Sequence, residues 1–164
     1  PAARAAHLPL HTPQAEDTAY AELQPKLKDS FPPPKIDGVL VNKMAPAGQE
    51  VIIGMNRDPQ FGPIILFGLG GVLVEIFRDV ALRHPPLSRE DALGMIQQIK
   101  GYPVLAGYRG QPPVDMKALA DCLLAVFQLA EENPQIVEID LNPVFAYPQS
   151  ALVADARIIM KEDN

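Results

Sequence analysis

The order of the predicted elements favours an α+β fold in which two principal helices pack on one face of a mainly antiparallel sheet. Strand-length apolar runs fill the first half of the chain, two helical patterns follow, and two more strands close it. Strands and helices that are segregated along a chain, and do not alternate, are typical of this fold class. With 164 residues, the chain is long enough to bury a core of its own.

The predicted strands are apolar or alternating runs bounded by glycine and proline turns. Seven such runs occupy residues 36–44, 49–57, 63–69, 72–76, 80–83, 136–143 and 151–158. The third run is continuously apolar, so we expect that strand to be buried on both faces. Residues 1–35 have no clear period and are interpreted as a tail, a short helix and a proline-rich connector. The main domain is therefore expected at residues 36–164.

Two helices are predicted from their caps and apolar stripes. Ser88, with Asp91 three residues later, forms a capping-box pattern that begins a helix ending near Lys100. Asp115 begins the second helix, which runs to Glu131. The residues expected to face the core are Leu93, Ile96 and Ile99 in the first helix and Leu119, Leu123, Val126, Phe127 and Ala130 in the second. Residues 101–113, between the helices, are interpreted as a long loop.

Composition argues against several functional classes. The net charge is −6 and no basic patch is present, so a nucleic-acid partner is not expected. The apolar runs are much shorter than the ~20 residues of a membrane span, so no membrane partner is expected either. Cys122 is the only cysteine, which excludes a disulfide framework within the chain and a cysteine metal site. A cytoplasmic location is the default expectation.

Two acidic strands at the end of the chain carry the strongest chemical signal. Because side chains alternate along a strand, Glu138, Asp140 and Asn142 share one face of the first strand, and apolar side chains fill the other. Pairing with the second strand would bring Asp155 close to Asp140 and Asn142. Carboxylate and amide oxygens suit Mg²⁺, which usually takes one or two protein carboxylates together with phosphate oxygens. A plainer alternative, the polar outer face of an amphipathic hairpin, stays open.

Weaker patterns are also compatible with a phosphate or nucleotide site. Gly70-Gly71 follows a buried strand, and glycine lets a backbone approach an anion closely, although a plain tight turn fits as well. Asn42 and Glu50 flank the first turn, where a hairpin would point both into one cleft or simply into solvent. No Ser/His/Asp or Cys/His arrangement typical of nucleophilic catalysis is visible in the sequence.

Several motifs, in a fixed order, resemble the ATP-grasp domain of ADP-forming acyl-CoA synthetases, in particular the acetate–CoA ligases (ADP-forming). The motifs are Ile36-Asp-Gly-Val-Leu-Val-Asn-Lys-Met44, Glu50-Val-Ile-Ile-Gly54, Asp58-Pro-Gln-Phe-Gly-Pro63, Phe67-Gly-Leu-Gly-Gly71, Arg78-Asp-Val-Ala81, Gly107-Tyr-Arg-Gly-Gln-Pro-Pro113 and Glu138-Ile-Asp-Leu-Asn-Pro143. The resemblance covers residues 36–158, and the succinyl-CoA synthetase β subunit is similar at a greater distance. It implies the carboxy-terminal lobe of an ATP-grasp fold.

The resemblance implies a site for ATP or ADP and Mg²⁺. Enzymes of this family interconvert acyl-CoA, ADP and phosphate with a free acid, CoA and ATP, and a phosphohistidine carries the phosphoryl group between two sites. The roles it implies are adenine binding for Val41, Asn42, Lys43 and Met44, ribose binding for Glu50, the nucleotide-side turn for Gly70 and Gly71, Mg²⁺ ligation for Asn142 and Asp155, and contact with the phosphohistidine for Asp140.

The resemblance also implies partners. The remaining ATP-grasp lobe and the CoA-binding and ligase domains would belong to the same protein or to a partner subunit, and a CoA thioester would be the substrate of the whole enzyme. The isolated chain is therefore expected to be inactive, and its exposed half-cleft would favour a homo-oligomer. Two alternatives stay open. One is a synthetase-like regulatory or binding region of a protein acetyltransferase, and the other is an α+β domain used only for assembly.

Overall fold

The structure is a computed structural model that describes residues 18–19, 21–22, 42–71 and 79–161. The chain divides into two compact units, Pro1–Met44 and Ala45–Asn164. In the first unit the described residues of 18–22 are helical, in agreement with the predicted short helix. Of the strand predicted at 36–44, only residues 42–44 are described. They are irregular and exposed, so the prediction is wrong there. They have no ladder partner among the described strands, and Pro46, just beyond them, lacks a backbone donor.

Six described strands form the sheet of the second unit. They are β1 (Gln49–Asp58), β2 (Gly62–Leu69), β3 (Val80–Arg83), β4 (Ile136–Tyr147), β5 (Ser150–Val153) and β6 (Ala156–Met160). The strand order is β3-β2-β1-β4-β5, and β6 pairs with the first half of β4, beyond the part that pairs with β5. Every pairing among these strands is antiparallel, which confirms the predicted sheet type. The strand predicted at 72–76 lies outside the described residues.

The last predicted strand, 151–158, is two strands in the structure. The chain leaves the ladder at Ala154 and Asp155, between β5 and β6. Opposite this break, two residues of β4, Asn142 and Pro143, face a single residue of β1, because the register between the two strands shifts there. The side chain of Asp155 accepts a hydrogen bond from the backbone N–H of Ala156 at 2.9 Å, a local bond of the kind that competes with strand pairing.

Three described helices of the second unit follow β3 in sequence. They are α1 (Arg89–Gln98), α2 (Tyr102–Leu105) and α3 (Met116–Glu132). The predicted capping box is present, with Ser88 accepting from the N–H of Asp91 and Asp91 accepting from the N–H of Ser88. Asp115 caps α3 by accepting from two backbone N–H groups. The predicted loop 101–113 was wrong in part, because its first residues form the short α2.

The hydrophobic core lies between the helices and one face of the sheet. The predicted Ile96, Ile99, Leu119, Leu123, Val126 and Ala130 are buried there. Leu93 and Phe127 are only partly buried, and Met95 is fully buried instead of Leu93. Phe67, Gly68 and Leu69 are buried, but the start of β2 is half-exposed, so the prediction of burial on both faces holds only near its end. Among the described residues, no helix is long and apolar enough to cross a membrane.

Two charged side chains attach the helices to the sheet. The carboxylate of Asp79 accepts hydrogen bonds from the backbone N–H groups of Lys100 and Gly101, at 2.8 and 2.7 Å, just beyond the end of α1. Arg57, on β1, donates to the carbonyl oxygens of Ala130 and Ile136 at 2.5 and 2.7 Å, near the end of α3. Acceptors near the last turn of a helix otherwise lack partners, so this arginine satisfies a carbonyl that the helix leaves open.

Candidate nucleotide and magnesium site

The two faces of the sheet differ in what their side chains do. On one face, Val51, Ile53 and Met55 of β1 are buried in the helix-covered core. We call the other face of the sheet, which the described helices of the second unit do not cover, the open face. Alternation along β1 places Glu50, Ile52, Gly54 and Asn56 on it. The open face therefore carries most of the residues predicted for the site.

Three residues of β4 extend the open face beside β1. Glu50 pairs with Phe145, Gly54 pairs with Asp140, and Asn56 pairs with Glu138. Since residues directly opposite each other in an antiparallel pair share a face, Asp140 and Glu138 lie on the open face beside β1. Asp140 is half-buried. The predicted common face of Glu138 and Asp140 is therefore present.

Glu50 and the glycine pair form one corner of the open face. The N–H of Gly70 donates to the carbonyl of Glu50 at 2.7 Å. A Cβ atom at position 70 would lie 2.8 Å from the Cβ of Glu50, and one at 71 would lie 3.4 Å from its Oε2 atom. Gly71 also has a φ of +68°, which favours glycine. The structure thus brings together three of the residues predicted for nucleotide binding.

Asn142 and Asp155 meet at the break between β5 and β6. The backbone N–H of Asn142 donates to the carbonyl of Asp155 at 3.2 Å, and both residues are exposed. The peptide bond between Asn142 and Pro143 is cis. The two predicted Mg²⁺ ligands are therefore neighbours at this break, and Asn142 lies two residues beyond Asp140 on β4.

The donor set of this region fits Mg²⁺ better than a softer metal. It offers an amide oxygen from Asn142 and carboxylates from Asp155 and Asp140, without sulfur or imidazole. No group of three or more His, Cys, Asp or Glu side chains able to hold a metal was found among the described residues. A site of one or two protein ligands completed by phosphate oxygens is the usual arrangement for Mg²⁺ and not for Zn²⁺.

Residues 41–44, which are predicted to lie beside adenine, belong to the first compact unit. Asn42, Lys43 and Met44 are exposed, and Val41 lies outside the described residues. The second unit by itself supplies Glu50, the glycine pair and the Asp140 region.

Sequence reasoning missed several residues that the structure makes prominent. Gly54 is a glycine in the middle of a strand, a signal of close approach by another group. Arg157 lies two residues after Asp155, opposite Asp140 in the ladder, and it forms an ion pair with Glu138 at 2.5 Å. Glu138 had no predicted role. Asp79 anchors the end of α1.

The far end of the open face is apolar. An open depression of about 480 Å³ is lined by Phe61, Ile64, Leu82, Arg83 and His84. Phe61 and Leu82 are strongly exposed there. Cys122 is half-buried in α3, and burial raises the pKa of its thiol. Such a shift disfavours a reactive thiolate.

Comparison with known proteins identifies the class of this fold. The model of the ATP-grasp domain family matches residues 2–160, beginning ahead of the first motif at Ile36. The acetate–CoA ligase (ADP-forming) I subunit beta of Pyrococcus furiosus is 51% identical over 142 residues, which cover 87% of the chain. The acetate–CoA ligase (ADP-forming) I of Archaeoglobus fulgidus is 43% identical over 147 residues. The chain belongs to the ATP-grasp domain family, and the resemblance found in the sequence is confirmed.

Solved structures agree with this assignment. The dinucleotide-forming acetyl-coenzyme A synthetase 1 of Candidatus Korarchaeum cryptofilum, in complex with coenzyme A, acetyl-coenzyme A and a phosphorylated phosphohistidine segment, is 48% identical with a TM-score of 0.89. The match covers 94% of this chain and 69% of that one. The same protein in complex with coenzyme A and Mg-AMPPCP, with its phosphohistidine segment pointing towards the nucleotide binding site, gives a TM-score of 0.84. The predicted α+β fold of the ATP-grasp type is confirmed.

The chain corresponds to only part of the curated relatives. It spans 61% of the length of the Pyrococcus subunit and 22% of the Archaeoglobus protein. The activity, substrates and partners of those whole proteins are therefore matters for proposal.

Proposed function

We propose that the chain is the nucleotide- and Mg²⁺-binding lobe of an ADP-forming acyl-CoA synthetase, with acetate–CoA ligase activity as the property of the whole enzyme. The observation that carries this proposal is the placement of two predicted clusters on one face of the sheet. The Glu50–Gly70–Gly71 corner lies at one end. Asp140, on β4, pairs with Gly54, which lies four residues after Glu50 on β1. Four residues of strand span about 13 Å, which is comparable to the length of a nucleotide from ribose to terminal phosphate.

Each residue has a role that its chemistry suits. The exposed carboxylate of Glu50 accepts hydrogen bonds from ribose hydroxyls, and the glycine pair leaves room for the nucleotide beside it. The amide oxygen of Asn142 and the carboxylate of Asp155 hold Mg²⁺. When bound, the ion neutralises phosphate charge. Adenine binding by residues 41–44, which the resemblance implies, stays a prediction.

The reaction needs positioning and charge control more than covalent work by this lobe. In the first half of the reaction, acyl-CoA and phosphate yield the free acid and CoA, and the phosphoryl group becomes bonded to an imidazole nitrogen. In the last step, the P–N bond breaks as an oxygen of the ADP β-phosphate forms a new P–O bond. The imidazole takes up a proton, and ATP is the product. Asp140 faces the phosphohistidine during this last step.

This lobe needs partners for the complete reaction. The remaining ATP-grasp lobe and the CoA-binding and ligase domains, in the same protein or a partner subunit, supply the rest of the cleft. The strongly exposed apolar side chains of Phe61 and Leu82, at the far end of the open face, support such a covering partner. Homo-oligomerisation and a cytoplasmic location stay predictions, as does the acetyltransferase-associated alternative, which the sequence flanking the chain would test.

Calorimetry on the complete protein tests the proposal. Substituting Asp155→Ala should weaken binding of ADP in the presence of Mg²⁺ by at least about tenfold, since charge-assisted contacts contribute roughly 1.5–3 kcal/mol each. Asp121→Ala is the matched control, because it removes an exposed carboxylate that pairs with Arg89 on the helical side. Unchanged ADP affinity in the Asp155 variant would contradict the proposal. So would equal losses in the two variants.

A further inference from the structure

Three side chains, those of Glu138, Arg157 and Ile159, lie beside Asp140 on the open face. In the β4–β6 ladder, Asp140 pairs with Arg157 and Glu138 pairs with Ile159. Directly opposed residues have Cβ atoms roughly 4.5–5.5 Å apart on the same face, so Arg157 is the immediate cross-strand neighbour of Asp140. Neither the family comparison nor the sequence motifs assign a role to this arginine.

Glu138 holds Arg157 in place. The Nη2 atom of Arg157 donates to Oε1 of Glu138 at 2.5 Å, along the diagonal between the two strands. The arginine side chain is 64% exposed, against 33% for the glutamate. An ion pair so exposed contributes little to stability. A guanidinium has five N–H donors, and one of them is committed to Glu138 within the described part of the chain, which leaves donors for an anion.

Gly54, on β1, leaves open space on the side of Asp140 opposite Arg157. It pairs with Asp140 across the β1–β4 ladder and therefore shares its face. A Cβ atom at position 54 would lie 3.4 Å from the carbonyl oxygen of Ile139 and 3.8 Å from the Cβ of Leu66. Those are ordinary contacts, so packing within the sheet does not require glycine here. The absence of a side chain instead leaves room for a group that approaches Asp140.

We propose that Arg157, tethered by Glu138, binds the phosphoryl group that reaches Asp140, and that Gly54 provides the space in which that group is held. This inference rests on the proposed function and adds an anion-binding residue to its site. The ligand class is a phosphoryl group in transit between an imidazole nitrogen and the β-phosphate of ADP.

Charge explains why a cation is needed at this position. Glu138 and Asp140 are acidic neighbours on the open face, and an arriving phosphoryl group adds further negative charge. A guanidinium opposite Asp140 offsets that repulsion and presents planar donors that match phosphate oxygens. A lysine would supply the charge with a different hydrogen-bond geometry, so the two residues are separable by experiment.

Single-turnover transfer from γ-labelled ATP to the histidine of the complete enzyme tests the role of Arg157. Arg157→Gln should slow transfer at saturating nucleotide by roughly ten- to a hundredfold, the value of one charge-assisted contact. Arg157→Lys should recover part of that rate. The affinity for ADP with Mg²⁺ should change by less than about fivefold, because the arginine serves the moving group. Arg89→Gln is the control, since it removes an equally exposed paired arginine on the helical side.

The proposed role of the space at Gly54 is tested by Gly54→Ala and Gly54→Leu in the same assay. The alanine variant should fold normally, and the leucine variant should slow transfer more than the alanine variant while leaving ADP affinity nearly unchanged. Gly94→Ala is the control, because a Cβ atom there, on α1, meets nothing within 4 Å. A transfer rate in Arg157→Gln equal to that of the unaltered enzyme would overturn the inference. A fall in its thermal midpoint that accounts for the lost rate would do so as well.

Failure of the proposed function itself gives a different pattern. If the unaltered complete protein binds no ADP with Mg²⁺, the proposed function fails before Arg157 is tested, and the inference falls with it. If the unaltered protein binds ADP and transfers phosphoryl groups, and Arg157→Gln does so equally well, only the inference about Arg157 fails.

Discussion

The helix-covered face and the open face of the sheet are built from alternate residues of the same strands, yet they serve different ends. Val51, Ile53 and Met55 are 0–2% exposed against the helices. The preceding residue in each case, Glu50, Ile52 or Gly54, lies on the open face. Folding free energy therefore resides mainly on one face and ligand chemistry on the other. Substitutions that differ by one position should consequently alter different properties.

The largest difference is expected between two adjacent residues of β2. Phe67 is fully buried on the helix-covered face, so Phe67→Ala should cost about 3–5 kcal/mol of unfolding free energy. Leu66 is half-buried on the open face, and Leu66→Ala should cost less than about 2 kcal/mol. Denaturant unfolding of both variants measures this contrast. Equal losses of unfolding free energy would show that side chains on the open face contribute as much to stability as those on the helix-covered face.

The anchor between α1 and the sheet should have the next largest effect. Asp79→Ala would leave the N–H groups of Lys100 and Gly101 without their acceptor, at a cost of about 1–3 kcal/mol. Asp79→Asn keeps one carbonyl oxygen and should lose less. Gly101 is confined by the same packing, because a Cβ atom there would overlap the side chain of Leu69. Nucleotide affinity should survive in Asp79→Asn, and its loss would place Asp79 in the binding site.

The capping box predicts a smaller, pH-dependent effect. Ser88→Ala should cost about 0.5–2 kcal/mol at neutral pH, the usual cost of losing a helix N-cap. Hydrogen bonds from the Ser88 side chain and backbone lower the pKa of Asp91 from its ordinary value of 3.8. A depressed carboxylate pKa stabilises the fold above the unfolded value, and that stabilisation is lost as the pH falls through the folded value. Unfolding measured between neutral pH and pH 3 should therefore show less acid sensitivity in Ser88→Ala.

The smallest expected change is a gain in stability. Gly94 lies inside α1 with open space where a Cβ atom would lie. Gly94→Ala should stabilise the fold by about 0.5–1 kcal/mol, because alanine loses less backbone entropy in a helix. Thermal unfolding provides the measurement. A loss of stability there would mean that the helical side tolerates less change than its packing suggests.

Local signals explain how much of the fold could be predicted from the sequence. Ser88 and Asp115 carry caps that mark helix starts within the chain itself, and apolar runs gave β1 and β2 to within one residue at each end. The break at Asp155 was missed because a single polar residue inside an apolar run does not reveal the extra residues on the opposite strand. Residues 42–44 failed as a strand because the pattern at 36–44 does not reveal whether any of the described strands pairs with them.

The site was only partly predictable for a related reason. Asp140, Asn142 and Asp155 could be proposed from alternation and resemblance. A role for Gly54 or Arg157 can be inferred only from the strand register, which places each of them opposite Asp140. The register depends on turns and bulges spread over a hundred residues, and neither residue carries a local motif that reports it.

The central claim is that the open face binds Mg²⁺ and a nucleotide through Asn142 and Asp155. A crystal structure of the complete protein with Mn²⁺ in place of Mg²⁺ and a non-hydrolysable ATP analogue tests it most directly, because Mn²⁺ scatters anomalously. We expect an anomalous peak about 2.1 Å from the amide oxygen of Asn142 and a carboxylate oxygen of Asp155, with phosphate oxygens completing the coordination. A nucleotide bound elsewhere, or a metal bound without either side chain, would contradict it.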